Sequence, residues 1–271
     1  IGGESQGWRA GQRVAVEPIT VDGTCSACLR GDYHLCDHLM LNGHHYPGSF
    51  AEFTTAKKRF TYLLPDSLTF EQGAMLEPLA VCVHAIRVAA VQVGDFCVVL
   101  GGGTIGQLAA QVAASAGATV MLADPFAFKR EVAVRCGIHY TADPFQESLE
   151  ELIREHNGGE LADCVVEAAG AQESLAQSVT LARKGGTITA IGFTAQPEDR
   201  INLTLITIRE LRFLGSVIYC RDYPRAIQLV ERGRVHLAPL MTAFATLDQT
   251  EGAIKTVIEH KDRNIKSMIR P

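Results

Sequence analysis

The chain of 271 residues carries 47% apolar and 20% charged side chains, an ordinary make-up for a globular protein of one large domain or two. Its net charge of −5 and pI near 6.0 offer no positive field for nucleic acid or an acidic membrane, and no apolar run approaches the ~20 residues that span a bilayer. Eight cysteines are too few for a disulfide scaffold. Five of them, Cys82, Cys97, Cys136, Cys164 and Cys220, lie singly in apolar segments, which predicts buried, reduced thiols and a cytoplasmic location. The first residue is Ile1 and no signal peptide follows, so an upstream segment is expected.

Residues 1–70 are rich in Gly, Pro, Thr and His, with short strand candidates in "RVAVEP" and "SFAEFTT" and no convincing helix. That texture predicts a small, irregular β domain. Within it, Cys25, Cys28 and Cys36 form C-x2-C-x7-C, closely followed by His38, with Gly23 and Gly31 supplying bends. Thiolates at this spacing can converge on a tetrahedral zinc at ~2.3 Å, but that geometry needs a fourth ligand. Farther on, "MLEPLAV" sets Glu77 in apolar surroundings. Such an acid, if buried, needs a cation or a hydrogen-bond partner; the plainer reading is a helix-start carboxylate beside Pro78. His84 is expected to pack on the helix that follows, and His44 and His45 to sit in an exposed loop.

From Phe96 the chain alternates β-rich runs with helical stretches. The strand candidates are 96–101, 119–124, 163–170, 187–192 and 211–219, and each of the four helical stretches between them ends in glycine. Such alternation builds a parallel sheet covered on both faces, an α/β fold. After Tyr219 come two helix candidates, "YPRAIQLVERG" and "DQTEGAIKTVIEHK", and a last strand candidate, "NIKSMIR". The expected division is an α/β domain over 79–220, inserted into a β-rich domain made of 1–78 and 221–271.

"VVLGGGTIGQLAA" holds G-x-G-x-x-G as Gly101, Gly103 and Gly106, with Thr104 and Ile105 inside it, leaving a strand and opening a helix. In that context the first glycine makes a tight turn and the second admits a pyrophosphate. The third lets helix and strand close together, while the helix N-terminus supplies amide donors. Asp124 ends the next strand candidate, where a carboxylate accepts hydrogen bonds from the adenosine ribose and repels a 2′-phosphate. NAD is therefore expected over NADP; nearby Lys129 and Arg130 could soften that preference or could simply be a solvated helix face. Ala169 and Gly170, ending the third strand candidate, are placed with the cofactor.

The cysteine stretch resembles the structural-zinc lobe of medium-chain, zinc-dependent alcohol and polyol dehydrogenases, in which four cysteines stand as C-x2-C-x2-C-x7-C. Further segments carry the resemblance across nearly the whole chain. "GWRAGQRVAVEP" is similar to the family's G-x-x-x-G-D-R-V, with Gln12 where Asp is usual, and "PGSFAEF" to G-G-F-A-E-Y. "LEPLAVCVHA" resembles the E-P-L stretch of the sorbitol, butanediol and threonine dehydrogenase branch, "GGTITAIGF" the loop that contacts nicotinamide, and "GSVIYC" the last coenzyme-domain strand.

The resemblance implies a Rossmann, doubly wound parallel sheet inserted in a GroES-like domain that is N-terminally incomplete here. Aligned on the lobe, the first ligand position falls on Asp22, giving a structural zinc held by Asp22, Cys25, Cys28 and Cys36; a lobe without metal, or His38 in place of Asp22, are the alternatives. Glu77 is implied as a carboxylate at the catalytic zinc, directly or through water. The family's other catalytic ligands, a Cys and a His-Glu pair, belong to a segment before residue 1. Ile191, Gly192 and Phe193 are implied at the nicotinamide. Tyr219 is implied as a catalytic-site residue in the substrate wall, with Ile218 where polyol dehydrogenases carry an Arg that contacts substrate hydroxyls, which argues for a less polar substrate.

The function so implied is interconversion of a small secondary alcohol or polyol with its ketone, using NAD and zinc, by a homodimer or homotetramer. The alternative is a non-catalytic dinucleotide-binding product of a truncated gene.

Overall fold

The computed structural model describes residues 7–194, 198 and 200–271. The Gly- and Pro-rich first third makes only short elements: β1 (Val14–Val16), β2 (Ile19–Thr20), α1 (Ser26–Arg30), β3 (Met40–Leu41), β4 (Thr61–Leu63) and α2 (Phe70–Ala74). β1 pairs antiparallel with β4, and β2 with β3. The sequence predicts no helix before residue 70, and α1 corrects that. The Cys25 sulfur caps it by accepting the Cys28 N–H at 3.5 Å, and Gly31 ends it in the left-handed region at φ 93°. The strand expected in "SFAEFTT" does not form. Among the described residues no strand pairs with that stretch, and Phe50 and Phe53 remain exposed.

The helix α3 (Leu76–Ala89) buries Leu76, Leu79, Cys82, Val83 and Ile86, an apolar face at helical spacing. The alternating region follows as β5 (Phe96–Leu100), α4 (Thr104–Ser115), β6 (Thr119–Ala123), α5 (Ala127–Arg135), β7 (Tyr140–Ala142), α6 (Leu149–His156), β8 (Ala162–Glu167), α7 (Gln172–Leu181), β9 (Ala182–Ala190), α8 (Leu203–Ile208) and β10 (Arg212–Gly215). The six strands form one parallel sheet in the order β10-β9-β8-β5-β6-β7. That is the doubly wound Rossmann order, with its reversal between β5 and β8. β5 is buried along its whole length. Its alternate residues feed two cores, Cys97 and Val99 packing with α3 and α4 on one face, and Phe96, Val98 and Leu100 on the other.

Three local expectations are corrected here. β7 has only three residues, too short for its pattern to be seen against the turn around it. β9 begins at Ala182, inside the stretch read as the end of a helix. Ala182 pairs with Ala162, the register then shifts, and Gly185 (φ 70°) and Gly186 absorb the irregularity as a bulge rather than ending α7. β10 stops at Gly215, leaving Ile218 and Tyr219 off the sheet.

The chain closes with α9 (Tyr223–Glu231), β11 (Met241–Thr246), α10 (Thr250–Glu259) and β12 (Lys266–Arg270); β11, which the sequence reading missed, pairs parallel with β12. No helix among the described residues is long and apolar enough to cross a membrane.

Two buried acids fasten the segment after β10 to the rest. Asp222 has no exposed side-chain surface. Its carboxylate accepts hydrogen bonds from Arg87 Nε at 3.3 Å and Nη2 at 3.2 Å, from Arg225 Nη1 at 3.2 Å and from the Cys220 N–H at 3.1 Å, and His84 Nδ1 lies 3.1 Å away. Glu17, also buried, accepts from the hydroxyls of Tyr62 at 2.6 Å and Tyr33 at 3.2 Å, and the Tyr33 oxygen in turn accepts the Arg221 N–H at 2.8 Å. Burial pulls the Asp222 carboxyl upward, but the hydrogen bonds from His84 and Arg87 outweigh it and hold the group at about 2, below its ordinary 3.8.

The stability that Asp222 supplies is therefore complete above its ordinary value and drains as pH falls toward 2. Asp222→Ala, which leaves the paired cations without a counter-charge, is expected to cost about 3 kcal/mol at neutral pH. Urea unfolding of the wild type and of Asp222→Asn between neutral and acid pH checks the sign: the variant should lack part of the acid-dependent loss.

Candidate dinucleotide, alcohol and zinc sites

The turn from β5 to α4 lies at the switch point of the sheet. Gly101 takes φ 102°, and a Cβ there would stand 2.8 Å from the Ala169 nitrogen at the end of β8. A Cβ on Gly106 would run into the Gly101 carbonyl, so only glycine lets α4 leave β5 this closely. Gly103 caps α4, and a Cβ there would meet nothing within 4 Å. The first and third glycines are thus required by packing, and the second opens onto free space.

That space is a cleft of about 380 Å³ whose lining includes Gly101, Gly103, Asp124 and Ala169, placed with the cofactor from sequence, and Lys129, which the sequence leaves between a cofactor neighbour and a solvated helix face. Asp124 follows β6 and is buried. Its Oδ2 accepts the Gly102 N–H at 2.7 Å and its Oδ1 the Phe126 N–H at 2.8 Å. Lys129 is no solvated side chain: it is 12% exposed, with Nζ 3.7 Å from Asp124 Oδ2. Arg130 is drawn instead to the Asp124 carbonyl at 2.7 Å and to Asp143 at 3.1 Å.

The remaining predicted contacts lie around this cleft rather than in its wall. The Thr104 hydroxyl donates to the Ile265 carbonyl at 2.6 Å, and Ile105 packs on the core with its carbonyl accepting from Cys82 at 3.2 Å. Gly170 (φ 64°) lies against the Phe193 carbonyl, and Ile191 and Gly192 both donate N–H groups to the Glu167 carbonyl, at 2.8 and 3.1 Å. Phe193 is exposed.

Sequence reasoning missed Glu167, whose buried Oε1 accepts from Ala169 N, Gly170 N and the Ser174 hydroxyl at 2.7–2.9 Å and so shapes the β8 turn. It also missed Pro144 and Phe145 in the cleft wall, which became invisible once β7 was overlooked.

A second cleft, of about 620 Å³, brings Glu77 in the first turn of α3 together with Ile218, Tyr219, His44 and Phe50. Burial pushes the Glu77 carboxyl up from 4.5, against the pull of Lys266 and the Tyr219 hydroxyl. That hydroxyl is itself buried with no hydrogen bond of proper geometry among the described residues. His44 is exposed as expected, yet it lines this cleft and meets His45 edge-on at 4.8 Å. His84 is a buried residue of α3 and is committed to Asp222.

In the lobe, one donor atom each from Asp22, Cys25, Cys28 and Cys36 lie within 4.8 Å of one another, the only such group of three or more His, Cys, Asp or Glu donors among the described residues. His38 stands outside it, 77% exposed, its Nε2 3.9 Å from Asp22 Oδ2. The Asp22 carboxylate is held at about 2 by the N–H groups of Cys25 and Thr24. Burial and the neighbouring thiols push Cys28 up to about 12. A divalent cation reverses that bias, because a coordinating thiol is deprotonated outright; three thiolates and a carboxylate at this separation fit tetrahedral zinc. Around Glu77 no second donor set gathers among the described residues, so no step through a catalytic zinc can be derived from them.

Two family models match the chain: zinc-binding dehydrogenase over residues 104–232, and alcohol dehydrogenase GroES-like domain over residues 1–66. The 2-dehydro-3-deoxy-L-galactonate 5-dehydrogenase of Pseudoalteromonas atlantica is 33% identical over 272 residues, covering 96% of this chain and 79% of the relative. The chain belongs to the medium-chain, zinc-dependent alcohol dehydrogenase family. A sorbitol dehydrogenase of Halalkalibacterium halodurans is 35% identical over 257 residues, covering 93% and 74% of the two chains. A Sinorhizobium meliloti structure described as a zinc-binding dehydrogenase bound to NADP superposes with a TM-score of 0.91 at 33% identity, covering 98% and 79%. Membership in this dehydrogenase family carries a nicotinamide cofactor and zinc, and the Rossmann and GroES-like architecture is the one expected from sequence.

The glycines separate packing from binding. Gly106→Ala should destabilise the dehydrogenase by about 2 kcal/mol or more, since backbone must move, whereas Gly103→Ala should stay within about 0.5 kcal/mol of wild type. Urea denaturation of the two variants side by side tests this.

Proposed function

We propose that the chain works as an NAD-dependent alcohol dehydrogenase acting on a small secondary alcohol or polyol, in either direction between alcohol and ketone. The observation that carries the reading is the cleft walled at one side by the Gly101–Gly106 turn and at another by Asp124. A nicotinamide held there would supply the hydride acceptor or donor for the carbinol carbon.

In this reading the free N–H groups at the start of α4 hold the pyrophosphate. Asp124, fixed by Gly102 and Phe126, receives the ribose hydroxyls, while Ala169, Gly170 and the run Ile191–Phe193 flank the nicotinamide half. Lys129 pairs with Asp124 rather than recruiting a 2′-phosphate. Glu77 presents its carboxylate in the alcohol cleft, with Tyr219 and Ile218 as wall. Asp22, Cys25, Cys28 and Cys36 hold a structural zinc that fixes the loop and takes no part in the chemistry. We assign residues 79–220 to the coenzyme domain and 1–78 with 221–271 to the catalytic one. A second copy is assigned to the sheet edge at β10, giving a homodimer or homotetramer.

Two measurements test the assignment. In calorimetric titrations with NADH and NADPH, Asp124→Ser should tighten NADPH by about tenfold, roughly 1.4 kcal/mol; unchanged discrimination removes the role given to Asp124. Asp22→Ala should weaken zinc by at least ~10-fold in competition with a chromophoric chelator, and wild-type affinity in that variant would pass the fourth ligand to another group.

A further inference from the structure

A third concavity, of about 610 Å³, lies where the turn after α1, the middle of α3 and the start of α9 meet. Its lining includes Arg30, Arg87, Arg221 and Arg225 against one acid, Asp32, with Asp222 buried behind the wall, in a chain whose net charge is −5. Asp222 is wholly buried and already satisfied by Arg87, Arg225 and the Cys220 N–H. Arg30 is paired with Asp32 at 3.5 Å. Arg221 is different: among the described residues no carboxylate lies within 4 Å of its guanidinium. One end of its guanidinium lies against Gly31, where a Cβ would collide with it.

The backbone holds this side chain in place at a cost. Arg221 sits at φ 62° and Ile218 at φ 42°, in the left-handed region that non-glycine residues avoid by roughly 1–3 kcal/mol. The Tyr33 hydroxyl fixes the Arg221 N–H, and through Glu17 the same hydroxyl is anchored to the first strands. Beside the arginines, the buried Nδ1 of His34 has no hydrogen-bond partner among the described residues. An unpaired guanidinium fork and an excess of cations in one concave wall are the features that recognise phosphate oxygens.

We propose that this cleft binds a small phosphate-bearing anion, with Arg221 as the free fork and Arg87 and Arg225 as the supporting field. The site is separate from the dinucleotide cleft, shares no lining residue with it, and does not depend on the dehydrogenase reading.

Titration calorimetry of the full chain at constant ionic strength tests it, with inorganic phosphate, glycerol 3-phosphate, glycerol and chloride as separate probes. Phosphate or its ester should bind while glycerol and chloride do not, and the stronger of the two distinguishes a free-phosphate site from a phosphoester site. Arg221→Ala should weaken the phosphate probe at least ~10-fold and Arg225→Ala several-fold, with NADH binding unchanged in both. The rival location for phosphate is the Gly101–Gly106 turn, which these variants leave intact; equal phosphate binding in wild type and variants overturns the proposal, as does chloride matching phosphate. Arg221→Lys, which keeps the charge and loses the fork, carries the same test if the alanine variant does not fold: binding as tight as wild type refutes the fork.

Discussion

The approach of Gly106 to the Gly101 carbonyl is the constraint on which the rest of the architecture depends. It lets α4 start directly over the end of β5, the strand that is buried along its full length at the centre of the sheet. Because α4 starts there, its first N–H groups face the gap where strand order reverses, and Asp124 at the end of β6 can reach back to the Gly102 N–H. A larger residue at 106 would push the helix away and dissolve both arrangements at once. The cleft is thus a by-product of close backbone packing at a topological switch point.

Much of this was legible because it is local. The glycine spacing, the acid at 124 and the C-x2-C-x7-C run each declare themselves within ~25 residues, and strands with both faces covered read as unbroken apolar runs. Asp22 was reachable only by laying the cysteine run on a four-ligand pattern, and the geometry then gathered it with the three sulfurs while leaving His38 outside.

The misses have physical causes as well. Three residues cannot display a period of two, so β7 vanished and took Phe145 with it. The Arg183–Gly186 stretch looks like a helix ending, since glycine serves equally as helix stop and as strand bulge. β11 is recognisable as a strand only through β12, some twenty residues away. The Asp222 cluster joins residues about 135 positions apart, and no one-dimensional pattern marks such a meeting.

Those long-range ties also explain how one short segment serves two surfaces. Ile218 and Tyr219 face the cleft that holds Glu77, while Cys220 and Arg221 face the arginine-lined concavity, and the turn between them is pinned by Asp222, Tyr33 and Glu17. Two non-glycine residues in the left-handed region within four positions survive only because buried hydrogen bonds over-determine the path.

For anyone engineering heat resistance into this molecule, Ile218 poses a dilemma. Glycine adopts its backbone angles freely, so relaxing that position is an obvious route to a hardier main chain. The same change strips a branched hydrocarbon from the wall of the cleft that holds Glu77 and, in the reading proposed above, widens the space offered to an alcohol. Durability and selectivity compete there for a single codon.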